Sequence, residues 1–278
     1  MMWEQRRFGA DQAIFAVIEH PEAARTDLIV TLSGLGQAMS EKNYLFSNLR
    51  KRLASKQKWV LQFDYRGHGD SAGELGDASL ATMVSDTLEV LATVTKEHEP
   101  QRIFLVGNAL GAVVAQTVSL EWEQHSGILC CPILISPPLS LAHSSEVFPD
   151  AIRKQWRKEG SLDSQLLIPG YDYYTLSDFN MEQYRYVTKL GAHLLYLHGQ
   201  CIGYSLLEEL DKLDPLRLFS QNEQRINLIC GEDDKETIEL ALNYLPNATL
   251  HQLSGVAYYH QHPAAMDNLI DIIETIVV

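Results

Sequence analysis

The chain is short of basic residues, of cysteine and of long apolar runs, and each shortage removes a class of function. Lys plus Arg number 22 against 36 Asp plus Glu, a net charge of −14. That charge repels nucleic acid and anionic membrane surfaces, so neither is an expected partner. Four cysteines are too few and too scattered for a disulfide framework, and Cys130 and Cys131 fall in what reads as a buried strand; a reducing, cytoplasmic setting fits that usage. The most apolar stretch, 103–115, is interrupted by Gly107, Asn108 and Gly111, and the charged start, Met1–Ala10, has no apolar core. Neither a membrane span nor a secretory signal is expected. Metal-ligand spacing is missing as well: His193, His198 and Cys201, and the pair His260 and His262, make no full ligand set. Gly34-Leu35-Gly36 and Gly67-His68-Gly69 stop short of a dinucleotide fingerprint. No metal and no cofactor is expected.

What is present is a βαβ rhythm in 278 residues, a length that suits one α/β domain with an inserted subdomain. Two short strands, Trp3–Phe8 and Ala13–Glu19, flank a Gly9-Ala10-Asp11 turn and predict an antiparallel sheet edge. Continuous apolar runs at Leu28–Leu32, Trp59–Phe63, Ile103–Val106, Cys130–Ile135 and Ile226–Cys230 read as strands buried on both faces. Helical spacing marks Glu41–Ala54, Leu80–Val94, the small-residue stretch Ala112–Ala115 running on to about Glu123, Thr237–Tyr244 and Pro263–Ile276, and a last strand is expected at Thr249–Leu253. Between 141 and 225 the strand rhythm stops, and helix-like segments hold Tyr171, Tyr173, Tyr174, Tyr184, Tyr186, Tyr196 and Tyr204. The expected division is a core of 1–140 and 226–278 with a helical cap of 141–225. The cap tyrosines are either packing residues or aromatic walls over a site, with Tyr171, Tyr173 and Tyr174 the candidate substrate contacts.

The stretch that organises the rest is Gly107-Asn108-Ala109-Leu110-Gly111, set between an apolar strand and a small-residue helix. Two glycines so placed let the backbone turn sharply from strand to helix and leave the middle residue standing above the sheet. With Leu32-Ser33-Gly34-Leu35-Gly36, Asp64-Tyr65-Arg66-Gly67-His68-Gly69-Asp70-Ser71 and Gly231-Glu232-Asp233-Asp234, it resembles the α/β-hydrolase family in its esterase and thioesterase-like branch. The resemblance implies a mostly parallel central sheet flanked by helices. It also implies an oxyanion hole from the backbone N–H groups of Leu35 and Leu110, and a triad carboxylate at Asp234. The ligand it implies is a small acyl compound, a carrier-bound thioester included. His68, in the turn, is expected to shape that turn.

Two positions depart from the family pattern. Ala109 stands where the nucleophilic serine is expected, and Tyr258 falls where the family's histidine is expected, with His260 two residues later. His260 is the candidate triad histidine and Tyr258 the alternative occupant; His262, just before Pro263, is a poorer one. Ala109 admits three readings: an acyl hydrolase whose serine has been replaced, a natural serine-less enzyme of hydration, decarboxylation, elimination or cyclisation, or a non-catalytic binding protein. A replaced serine would silence the covalent step and leave binding and the oxyanion hole.

Overall fold

The computed structural model describes residues 2–22, 26–170, 180–193, 197 and 199–277. Ten strands are seen among them: β1 (Met2–Phe8), β2 (Ile14–His20), β3 (Asp27–Leu32), β4 (Trp59–Phe63), β5 (Arg102–Asn108), β6 (Leu129–Ile135), β7 (Ser161–Asp163), β8 (Cys201–Gly203), β9 (Asn227–Gly231) and β10 (Thr249–Leu253). Eight form one sheet in the order β1-β2-β4-β3-β5-β6-β9-β10. The β1–β2 and β2–β4 pairs are antiparallel, and every pair from β4 to β10 is parallel. The crossover helices, Leu45–Ser55, Leu80–Glu97, Leu110–Ser126, Lys235–Tyr244 and Pro263–Ile276, cover both faces. This is the α/β-hydrolase fold that the motifs imply.

Alternation along the central strands divides the core. Ile29, Phe104 and Val106 turn to one face, where Leu49, Leu53, Leu269 and Ile273 of the helices Leu45–Ser55 and Pro263–Ile276 meet them. Leu28, Val30, Ile103 and Leu105 turn to the other, against Met83, Leu91, Val114 and Val118. A strand with apolar side chains on both faces needs helices on both, which is why these runs are continuous rather than alternating in polarity.

Between β6 and β9 the chain makes a long excursion whose apolar residues join the core on one face of the sheet. Helices Asp150–Glu159, Met181–Lys189 and Tyr204–Lys212 bring Trp156, Tyr186, Leu190, Leu206, Leu207 and Leu210 together. Phe148 sits edge-on to Trp156 and Tyr186, with ring centroids 5.5 and 5.4 Å apart. The excursion is not wholly helical: β7 pairs antiparallel with β8, in register from Ser161↔Gly203 to Asp163↔Cys201. Three-residue strands paired across nearly forty residues leave no periodicity to read, so the sequence pattern shows only helix and loop there. Tyr171, Tyr173, Tyr174 and Tyr196 lie outside the described residues. No described helix is long and apolar enough to cross a membrane.

Candidate active site

The site forms at the carboxyl ends of β3, β5, β6 and β9, where an open α/β sheet leaves its crevice. At the end of β5, Ala109 adopts φ 52° and ψ −114°, a conformation that L-residues rarely hold, and caps the helix Leu110–Ser126. The flanking glycines are required by contact. A Cβ on Gly107 would lie 2.2 Å from the carbonyl oxygen of Gly111, and one on Gly111 would lie 2.1 Å from that of Leu32. The register that sets Leu32 beside Gly107 brings the Ser33–Gly36 loop against the elbow.

Around Ala109 a cleft of about 70 Å³ is lined by Glu41, Lys42, Ser136, Asp234, Tyr258 and His260, with Thr188, Lys189 and Gly191 of the excursion. The sheet thus collects the nucleophile position, the expected carboxylate and both candidate partners of that carboxylate. Asp234 caps the helix Lys235–Tyr244, accepting the Thr237 N–H at 3.3 Å. No hydrogen bond joins Asp234 to His260 among the described residues. Of the two candidates, it is Tyr258 that feels Asp234: its phenol is pushed above its ordinary pKa by burial first, then by Asp234 and Glu236. His260 stacks on Tyr258 with centroids 5.6 Å apart. Burial first, then Lys42 and His193, lower the His260 imidazole to about 4, so it is neutral at pH 7.

The two expected oxyanion donors converge on one point, and that point holds an atom of the chain. Leu35 N–H donates to the carbonyl oxygen of Leu190 at 2.9 Å, and Leu110 N–H donates to the same oxygen at 3.3 Å. Next to it Gly191, at φ +90°, packs on Gly34 and Ala109.

Glu41 escapes a motif-based reading, since it lies at the start of a stretch with helical spacing, Glu41–Ala54, and in no motif. It is buried, and its own φ is +59°. One carboxylate oxygen accepts Gly34 N–H at 2.8 Å and the other accepts Lys42 N–H at 2.9 Å. Glu41 therefore holds the Ser33–Gly36 loop at Gly34. Burial raises its pKa despite the hydrogen bonds it accepts. Ser136, at φ 43°, is a third strained residue lining the cleft. His68 is buried in the turn after β4, outside this cleft; its Nδ1 approaches the Arg66 carbonyl at 3.3 Å, and burial lowers it to about 4. The same turn is anchored through Arg66, whose guanidinium pairs with buried Asp86.

Comparisons with known proteins agree with this architecture. Curated relatives match only in part. Monoglyceride lipase of Rattus norvegicus is 27% identical over 132 residues, 46% of this chain and 42% of that protein. Protein phosphatase methylesterase 1 of Candida albicans is 38% identical over 69 residues, 25% of this chain and 19% of that protein. The chain thus spans less than half the length of either. Among solved structures, the α/β hydrolase GrgF of Penicillium sp. sh18 superposes with a TM-score of 0.72 at 13% identity, covering 99% of this chain and 97% of that one. Est1E of Butyrivibrio proteoclasticus, with ferulic acid bound, gives 0.63 at 16% identity over the whole of both chains; at such identities these likenesses show the fold. Residues 24–199, more than half of the chain, match the family of serine aminopeptidase S33. The chain is an α/β hydrolase and belongs to that family.

Proposed function

We propose that the cleft is the acyl site of an ester- or thioester-acting hydrolase, held in this chain without its nucleophile. The observation that carries this reading is the backbone of Ala109: a strained elbow, closed by Gly107 and Gly111 and facing two converging N–H donors, is costly to keep. A fold serving only as a scaffold gains nothing from it. Two curated relatives are named as a methylesterase and a lipase, which are ester-cleaving activities. A serine at 109 would attack the acyl carbon and release the alcohol or thiol, and water would then free the acid. With a methyl group there, what remains is recognition of a small acyl compound, a carrier-bound thioester included. The four cysteines are unpaired, which supports action in a reducing cytoplasm.

The test is Ala109→Ser, assayed with short and long p-nitrophenyl esters and acyl thioesters. The expected result is a burst of leaving group and turnover on the order of 10-fold or more above the alanine form, abolished by adding His260→Ala. Turnover by the serine form no faster than by the alanine form, with every acyl donor, overturns the proposal. A second reading is favoured by one observation, the position of Tyr258 in the field of Asp234. There the Ala109 form polarises a carbonyl in the oxyanion hole and moves a proton through Tyr258 or His260, without an acyl-enzyme. Its mark is turnover by the unaltered chain that Tyr258→Phe slows.

A further inference from the structure

The atom in the oxyanion hole belongs to the turn that follows helix Met181–Lys189, and three features hold it there. First, Gly191 fits only as glycine. A Cβ on it would lie 2.9 Å from the Gly34 Cα and 3.0 Å from the Ala109 Cβ, and its φ is +90°. Second, the Leu190 side chain is buried beside Leu35, Tyr186 and Val187. Third, Lys189 reaches across to the core, donating to both carboxylate oxygens of Glu236 at 3.1 and 3.0 Å and to Ser140 Oγ at 3.2 Å. The carboxyl end of helix Met181–Lys189 thereby meets the amino end of Leu110–Ser126, the favourable pairing of helix dipoles.

We propose that the Lys189–Ala192 turn is an intramolecular plug: in the resting chain the Leu190 carbonyl occupies the oxyanion hole, and an external carbonyl binds there only after the turn withdraws. The plug is a ligand of the kind the hole is built for, a carbonyl oxygen held by two N–H donors. The excursion is in this sense a cap closed on its own backbone. The proposal rests on the hole and not on any acyl-transfer activity, so its test needs no turnover.

That test is amide hydrogen exchange resolved to Leu35 and Leu110. The first N–H groups of a helix have no partner within it, so protection of Leu110 reports an acceptor from elsewhere. In the unaltered chain both amides should exchange at least about 100-fold more slowly than unprotected amides. In Gly191→Ala they should exchange at least about 10-fold faster than in the unaltered chain, while Val30 and Val106 of the core strands keep their protection. The double variant Lys189→Ala/Glu236→Ala should move both amides the same way, which keeps the proposal testable if Gly191→Ala fails to fold. Unprotected exchange at Leu35 and Leu110 in the unaltered chain overturns the proposal. Protection that a folded Gly191→Ala or the double variant leaves unchanged overturns it equally.

Discussion

A carboxylate buried as deeply as that of Glu41 is tolerated because the N–H groups of Gly34 and Lys42 donate to it. Glu41→Ala leaves those donors unsatisfied in a dry site, and unfolding in urea should show a loss of about 2–4 kcal/mol. Glu41→Gln keeps an acceptor and removes the buried charge. Burial raises the folded-state pKa of Glu41, so its contribution is greatest at low pH and declines as pH rises through the folded value. The glutamine variant should therefore compare better with the unaltered chain at pH 8 than at pH 4.5, read from urea midpoints at the two values. His68 has the opposite sign. Its folded pKa of about 4 lies below the ordinary 6.5, so between those values the unfolded chain binds more protons and stability falls as the pH is lowered. His68→Phe should flatten that fall between pH 7 and 5. Asp64, raised to about 6 by burial, works against it, and Asp64→Asn should steepen the fall. All three are buried, and the sign of each effect follows from whether burial disfavours a negative or a positive charge.

The two ends of helix Leu110–Ser126 show how differently one residue type serves an element. At its start, the Cβ of a Gly111→Ala variant would strike the carbonyl of Leu32, while at its end Gly127, at φ +73°, faces open space. Gly111→Ala should cost about 3 kcal/mol or more, by displacing β3 from the elbow, and Gly127→Ala about 1–2 kcal/mol, by conformational strain alone. Thermal melts of the two variants test the ranking, which inverts if the elbow glycines serve flexibility rather than contact. The elements themselves were legible where burial on two faces leaves continuous apolar runs, as in β3, β5 and β6, and where a helix start carries a signal such as Pro263. The elbow was legible because its glycines answer to a steric need. The β7–β8 pair was not, because nonlocal pairing of so few residues has no period. Glu41 and Leu190 were hidden for a related reason: each acts through a contact that crosses the fold, from a position that no motif marks. Tyr258 and His260 could be placed near the carboxylate by order along the chain, but which of them faces Asp234 depends on the path of the loop after β10.

At the scale of the whole molecule, excursion and core are joined over the active site by contacts of unequal weight. The Lys189–Glu236 pair is 35% and 56% exposed, which places it among surface ion pairs worth about 0–1 kcal/mol. Burial of a leucine side chain is worth about 1.5–3 kcal/mol, so the Leu190 side chain holds the turn more firmly than the charges do. Raising salt from 0.05 to 0.5 M should then change exchange at Leu35 and Leu110 by less than about 5-fold, whereas Leu190→Ala should release both amides. A large salt effect with little effect of Leu190→Ala would reverse that ranking. The same contact sets how tightly anything else binds. A ligand for the hole competes with a carbonyl tethered to the site, and its apparent dissociation constant is its intrinsic one divided by the fraction of chains that stand open. If about 1% of chains are open, a ligand that fits at micromolar strength registers at roughly 100 μM. Screens of this chain would then rank compounds by their ability to displace the turn as much as by their fit to the cleft.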